Sequence, residues 1–79
     1  MTTGQAVANR INKLLKERNM TRYALGKKMG IDNSTVYSLA EGKTNTVRLD
    51  TVFIISDALD ITIQEFFADP IFNKDSLQY

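Results

Sequence analysis

Five hydrogen-bonding side chains, Asn33, Ser34, Thr35, Tyr37 and Ser38, crowd into six consecutive positions, and no neighbour is of a type that would make one of them a nucleophile. The chain has no His and no Cys. That removes the commonest general base, the commonest zinc ligand, and any disulfide or thiolate metal site. Proton transfer would fall to a carboxylate, a Lys or a Tyr, and no two carboxylates are spaced along a helix to share a pocket. The expectation is a protein that is not an enzyme, holds no metal and needs no cofactor. What remains for amides and hydroxyls is hydrogen-bonded recognition of a partner.

Charge indicates the kind of partner. The net charge is +1 over 79 residues, but it is unevenly spread. Up to Arg48, nine basic residues (Arg10, Lys13, Lys16, Arg18, Arg22, Lys27, Lys28, Lys43 and Arg48) stand against Glu17, Asp32 and Glu41, a balance of +6. From Leu49 onward Lys74 alone faces Asp50, Asp57, Asp60, Glu65, Asp69 and Asp75, a balance of −5. Such asymmetry implies a polyanion for the first part and a face held away from it in the second. Lys13, Lys16 and the Lys27–Lys28 pair read as solvated helix surface. No apolar run approaches the ~20 residues needed to span a bilayer, and Met1–Gln5 lacks the apolar stretch of a signal peptide. A soluble, cytoplasmic chain is expected. Its length suits one domain with a modest core and leaves no room for a separate ligand-sensing domain.

The elements that must position these side chains are helical. Val7, Ile11, Leu14 and Leu15 form one face of a first helix. Thr21 is a good N-cap for a second helix over Arg22–Met29, with Leu25 and Met29 buried and Gly30 at its left-handed end. Asp32 or Asn33 caps a third helix running to about Ala40, with Val36 and Leu39 inward and Gly42 ending it. A fourth helix begins near Leu49 or Asp50, its apolar face drawn from Leu49, Val52, Phe53, Ile55 and Leu59. Thr62 and Glu65 form a capping box for a short fifth helix, in which Ile63, Phe66 and Phe67 close the core. Pro70 prevents simple continuation. The fold class is all-α: a compact five-helix bundle over residues 1–69, with a tail over 70–79.

Helices two and three, joined through Gly30, Ile31 and Asp32, match a helix-turn-helix. Gly26 is the small residue that lets the two helices cross closely. Gly30 tolerates the positive φ of the turn. The pattern of Arg10–Ile11, Leu14, Arg18, Thr21, Leu25–Gly26, Met29–Gly30–Ile31, Ser34–Thr35–Val36, Leu39, Glu41–Gly42–Lys43, Leu49, Val52, Leu59 and Ile61–Phe67 resembles the lambda-repressor-like, Cro/CI and Xre-like helix-turn-helix domains. The resemblance covers about residues 6 to 67.

That resemblance implies a third helix in the major groove of double-stranded DNA. It places base readout at Asn33, Ser34 and Ser38, with Thr35 nearby. An Asn amide can pair bidentately with adenine, a contact worth ~1–3 kcal/mol of discrimination. It assigns backbone contacts to Thr21, Arg22, Lys43, Thr44, Asn45 and Arg48. Tyr37, on the exposed side of the third helix, is expected to reach a sugar-phosphate oxygen or a thymine methyl. The chain departs from the family pattern in having Arg22 for a common Gln, Gly26 for Ala, Ala40 for an acidic residue and Val47 for Pro. Arg22 should strengthen phosphate attraction.

Ile54, where relatives usually place a charge, and Ile71, Phe72, Leu77 and Tyr79 are more apolar surface than a short tail hides easily. They are expected to form a two-fold dimer contact. The implied function is a transcriptional repressor, phage or prophage-like, that binds a palindromic operator as a homodimer with half-sites about 34 Å apart. It would act in a bacterial or phage-infected cell, with release depending on a regulatory protein partner, loss of the protein or competition. The alternative is an antitoxin or antirepressor that uses the same fold to bind another protein, through its acidic half.

Overall fold

The helices begin where the side chains can satisfy the orphan backbone N–H groups of a first turn. The computed structural model describes residues 1–78. It contains α1 (Thr3–Glu17), α2 (Arg22–Met29), α3 (Asn33–Glu41), α4 (Leu49–Ala58), α5 (Ile63–Phe66) and a 3-10 turn over Pro70–Phe72. Thr2 caps α1 in a capping box with Gln5, and Thr62 caps α5 in a second one with Glu65. The Thr21 hydroxyl accepts from the N–H of Ala24. Asp32, not Asn33, caps α3, its carboxylate accepting from the Thr35 N–H at 2.7 Å. The α4 start has no side-chain cap. Gly30 and Gly42 end α2 and α3 at φ of 72° and 65°, a left-handed turn that costs them no Cβ clash.

The core lies between α1, α2, α3 and α4 and is closed by α5. Val7, Ile11, Leu14, Leu15, Leu25, Val36, Ala40, Val52, Ile55, Leu59 and Phe66 form one buried cluster. Helix α3 packs on both α1 and α2, and α4 packs on α2 and α5. The crossing of α2 with α3 is set by Gly26: a Cβ there would stand 2.7 Å from Cγ2 of Val36. A hydrogen atom is what fits, and this lets α2 and α3 approach closely.

Two expectations are corrected. Leu49 and Phe53 do not belong to the buried face of α4; they are 64% and 51% exposed. The buried stripe is Val52, Ile55, Ser56 and Leu59, and Ser56 is accepted inside because its hydroxyl donates to the Val52 carbonyl at 2.9 Å. Phe66 is fully buried, whereas Phe67 is 39% exposed and covers the outside of the Phe66 ring edge-on. The tail, over its described residues 70–78, lies against the rest of the chain. The Phe72 ring meets Phe66 and Phe67, with centroids 5.9 and 4.8 Å away. Beyond it the Gln78 N–H donates to the Met1 carbonyl, and Thr2 and Gln78 form an isolated bridge. Tyr79 lies outside the described residues.

Candidate nucleic-acid interface

The outer faces of α2 and α3 meet in an open groove of about 650 Å³. It is lined by Thr21, Arg22, Tyr23, Asn33, Ser34, Tyr37, Ser38 and Lys43. The groove exists because each helix turns its other face inward. Leu25 and Gly26 hold α2 to the core, and Val36 and Ala40 hold α3. The first turn of α3 therefore stands free, with Asn33, Ser34, Thr35 and Tyr37 exposed and Ser38 half-buried.

The polar tips are in different states. With Asp32 in the capping role, the side-chain amide of Asn33 makes no hydrogen bond within the described residues. The Ser34 hydroxyl donates to Asp32 at 3.0 Å. Hydrogen bonds from Thr35, with a further one from Ser34, hold the Asp32 carboxyl below the usual carboxylate range. Its negative charge sits at the positive end of the α3 dipole.

The cations of the groove are arranged around one ring. The Arg22 guanidinium pairs with Glu41 at 2.7 Å and donates to Asn12 Oδ1 at 3.1 Å. It also lies over Tyr37, 5.2 Å from the ring centroid. The Lys43 ammonium lies over the same ring, likewise at 5.2 Å. Asn12 is the hub beneath: its amide nitrogen donates to the carbonyls of Ala8 and Ala40 at 2.9 and 2.8 Å. It ties α1 to the end of α3 and, through Arg22, to the start of α2.

Of the remaining residues assigned to DNA, Thr35 sits at the rim of α3 and does not line the groove. Thr44, Asn45 and Arg48 lie on the loop after α3. That loop is docked on α1, where the Gly4 N–H donates to the Asn45 carbonyl at 2.9 Å and any Cβ on Gly4 would run into Thr44. The Thr44 hydroxyl is used within the loop, donating to the Thr46 carbonyl. Arg48 grips both carboxylate oxygens of Asp50 at 3.1 Å while remaining 83% exposed. Of the residues assigned to a dimer contact, Ile54 is 46% exposed, Ile71 is half-buried, and Phe72 is largely taken up by its own aromatic cluster.

Sequence reasoning passed over Tyr23, Asn12, Glu41 and Gly4. Tyr23 lines the groove, is 59% exposed and carries the Lys27 ammonium 5.5 Å from its ring centre. Its signal was a large aromatic in the first turn of α2 with no apolar partner at helical spacing. Asn12 had a plainer signal, a short amide set between Ala8 and Leu15 on the apolar side of α1.

Three basic residues that entered the +6 balance are engaged outside the groove. Arg10 donates to the carbonyls of Phe66 and Glu65 at 2.7 and 2.8 Å. Lys13 pairs with Asp69 at 2.7 Å, and Arg18 donates to the Leu59 carbonyl at 3.1 Å. They tie α1 to the acidic half. Among the described residues no cluster of carboxylates is placed to hold a metal ion, and no helix is long and apolar enough to cross a membrane.

A sequence model of a Cro/C1-type HTH DNA-binding domain matches residues 10–70, which takes in the helix-turn-helix, α4, α5 and most of α1. No curated protein and no solved structure matched the chain.

Proposed function

Because the chain belongs to the Cro/C1-type HTH DNA-binding domain family, we propose that it is a sequence-specific transcriptional regulator that represses by occupying a palindromic operator as a homodimer. One observation carries this reading: the free first turn of α3, Arg22 at the start of α2 and Lys43 after α3 open into a single groove. Asn33, Ser34 and Ser38 take the base edges, with Thr35 at the rim. Asn33 is the main discriminator, since its amide is not spent on capping. Thr21, Arg22, Tyr37 and Lys43 serve the flanking backbone, and Thr44, Asn45 and Arg48 serve it from the loop. Occlusion of a promoter suffices for repression, and no catalytic step is assigned to any residue.

A dimer on DNA follows from the palindrome, each copy filling one half-site. Ile54 and Ile71 are the assigned residues that a second copy could reach, since the Phe72 ring is occupied within its own chain.

The test is selection from a random double-stranded library at two salt concentrations. Recovery of an inverted repeat that relaxes at one position in Asn33→Ala supports the reading. Retention that vanishes with modest salt and yields no motif sinks it. One observation favours a protein-binding role as the second reading: α4 exposes Leu49, Phe53 and Ile54 beside Asp50 and Asp57, an apolar and acidic face that does not line the groove. Failure of the selection would move that reading to first place.

A further inference from the structure

Tyr37 is half exposed at the centre of the groove, yet its closest described polar relationships are through its ring, not its hydroxyl. Two cations share that ring at the same 5.2 Å distance, and they differ in what else holds them. Arg22 is fixed independently, by Glu41 and by Asn12. Lys43 has no ion pair with any carboxylate of the described residues. It follows the left-handed Gly42 and has a long side chain that loses much rotamer freedom when ordered. An ammonium over the negative face of an aromatic ring is attracted by the ring quadrupole. For the Lys43 ammonium this is the one restraint among the described residues.

We propose that Tyr37 serves DNA binding as a positioning residue, its ring holding the Lys43 ammonium beside the Arg22 guanidinium so that both meet one stretch of phosphodiester backbone. This rests on the reading of the groove as the DNA face. The arrangement holds each cation 5.2 Å from the ring centre without DNA. An arriving phosphodiester stretch then finds its donors already ordered. The hydroxyl of Tyr37 contributes little, so the residue differs from one that bonds a backbone oxygen directly.

The experiment is a double-mutant cycle on binding to a labelled mixed-sequence duplex, measured as a function of salt. Mixed sequence is sufficient, because phosphate contacts are independent of base order. Tyr37→Phe, which keeps the ring, should weaken binding far less than loss of the ring does. Tyr37→Leu, which keeps an apolar side chain but has no ring, should weaken binding by about tenfold. Its salt slope should fall by about 0.9, the loss of one phosphate contact. Lys43→Gln should give the same two changes, and the double variant should add nothing to either. Circular dichroism of each variant separates these losses from unfolding.

Two results overturn the proposal with the DNA reading intact. Tyr37→Phe as weak as Tyr37→Leu assigns the role to the hydroxyl, and additive losses in the double variant make the two residues independent. A wild-type protein with no salt-dependent duplex binding refutes the DNA reading and the positioning role together.

Discussion

The molecule employs its cations in two opposite ways. On the face of α1 turned toward α5, Arg10, Lys13 and Arg18 meet main-chain carbonyls and Asp69 from a distant part of the chain. In the α2–α3 groove, Lys43 meets an aromatic ring and no carboxylate, and Arg22, paired with Glu41 at 2.7 Å, lies over the same ring. Both groups entered the same +6 sum. The difference is structural: a guanidinium that caps the end of a helix is part of the fold, while one presented beside free amides and hydroxyls is available to a partner. Net charge therefore announces a polyanion partner, and local pairing decides which cations can reach it.

The contrast is broken most strongly at the aromatic lid that the first group holds in place. Phe66→Ala should cost about 3–5 kcal/mol, a large part of the stability of a domain this small. Urea denaturation measures it, and Phe66→Leu should cost much less. An unchanged midpoint in Phe66→Ala would mean that α5 does not close the core. Arg10→Ala comes next, at about 2–3 kcal/mol, because it leaves the carbonyls of Phe66 and Glu65 without their charged donor. At a temperature where it remains folded, its salt slope on duplex DNA should equal that of the wild type. A slope lower by about 0.9 would instead make Arg10 a phosphate contact and erase the distinction between the two groups.

The groove should show the reverse pattern. Asn33→Ala should change the thermal midpoint little, since Asp32 holds the cap, and should lose ~1–3 kcal/mol of discrimination at one base position. Competition between the selected site and its single-base variants measures this. Equal loss on every sequence would reassign Asn33 to the backbone.

How much of this was legible depended on range. The boundaries of α2 and α3 are written in Thr21, Gly30, Asp32 and Gly42, each acting within a few residues, and the Thr62–Glu65 box is equally local. The choice of Asp32 over Asn33 as cap was not, because both suit the position and side-chain geometry decides between them. Arg10 and Arg18 reach partners 56 and 41 residues away, which no local pattern encodes. The polar face of α3 was readable from its spacing, and so was the closeness of α2 and α3 from Gly26. The sharing of Tyr37 by Arg22 and Lys43 was not, since it needs the turn at Gly42 to bring Lys43 back over α3. Leu49 and Phe53 show the limit of apolar periodicity: it reports a stripe, and the stripe that went inside carries the small, self-satisfied Ser56.

The smallest expected effect compares the two regions by pH. Asp69 lies below the ordinary carboxylate range, chiefly through its hydrogen bond from Lys13, then through the Ile71 N–H and the charges of Lys13 and Arg10. Asp32 lies below it through Thr35 and then Ser34. A carboxylate depressed in the folded state contributes stability that is fully present above its unfolded pKa of about 3.9 and is lost as pH falls through the lower folded value. Both regions should therefore lose stability together on acidification below about pH 4 and be flat above about pH 5. Substitution separates them. Asn remains a good N-cap, so Asp32→Asn should keep α3 capped and lower the neutral-pH midpoint only slightly. Asp69→Asn discards the charge that Lys13 and Arg10 share, so it should lower the neutral-pH midpoint further and flatten the acid limb more. Thermal melts across that pH range decide the matter. A steeper residual acid limb in Asp69→Asn than in Asp32→Asn would place the acid-sensitive anchor in the groove and not in the contact between α1 and the acidic half.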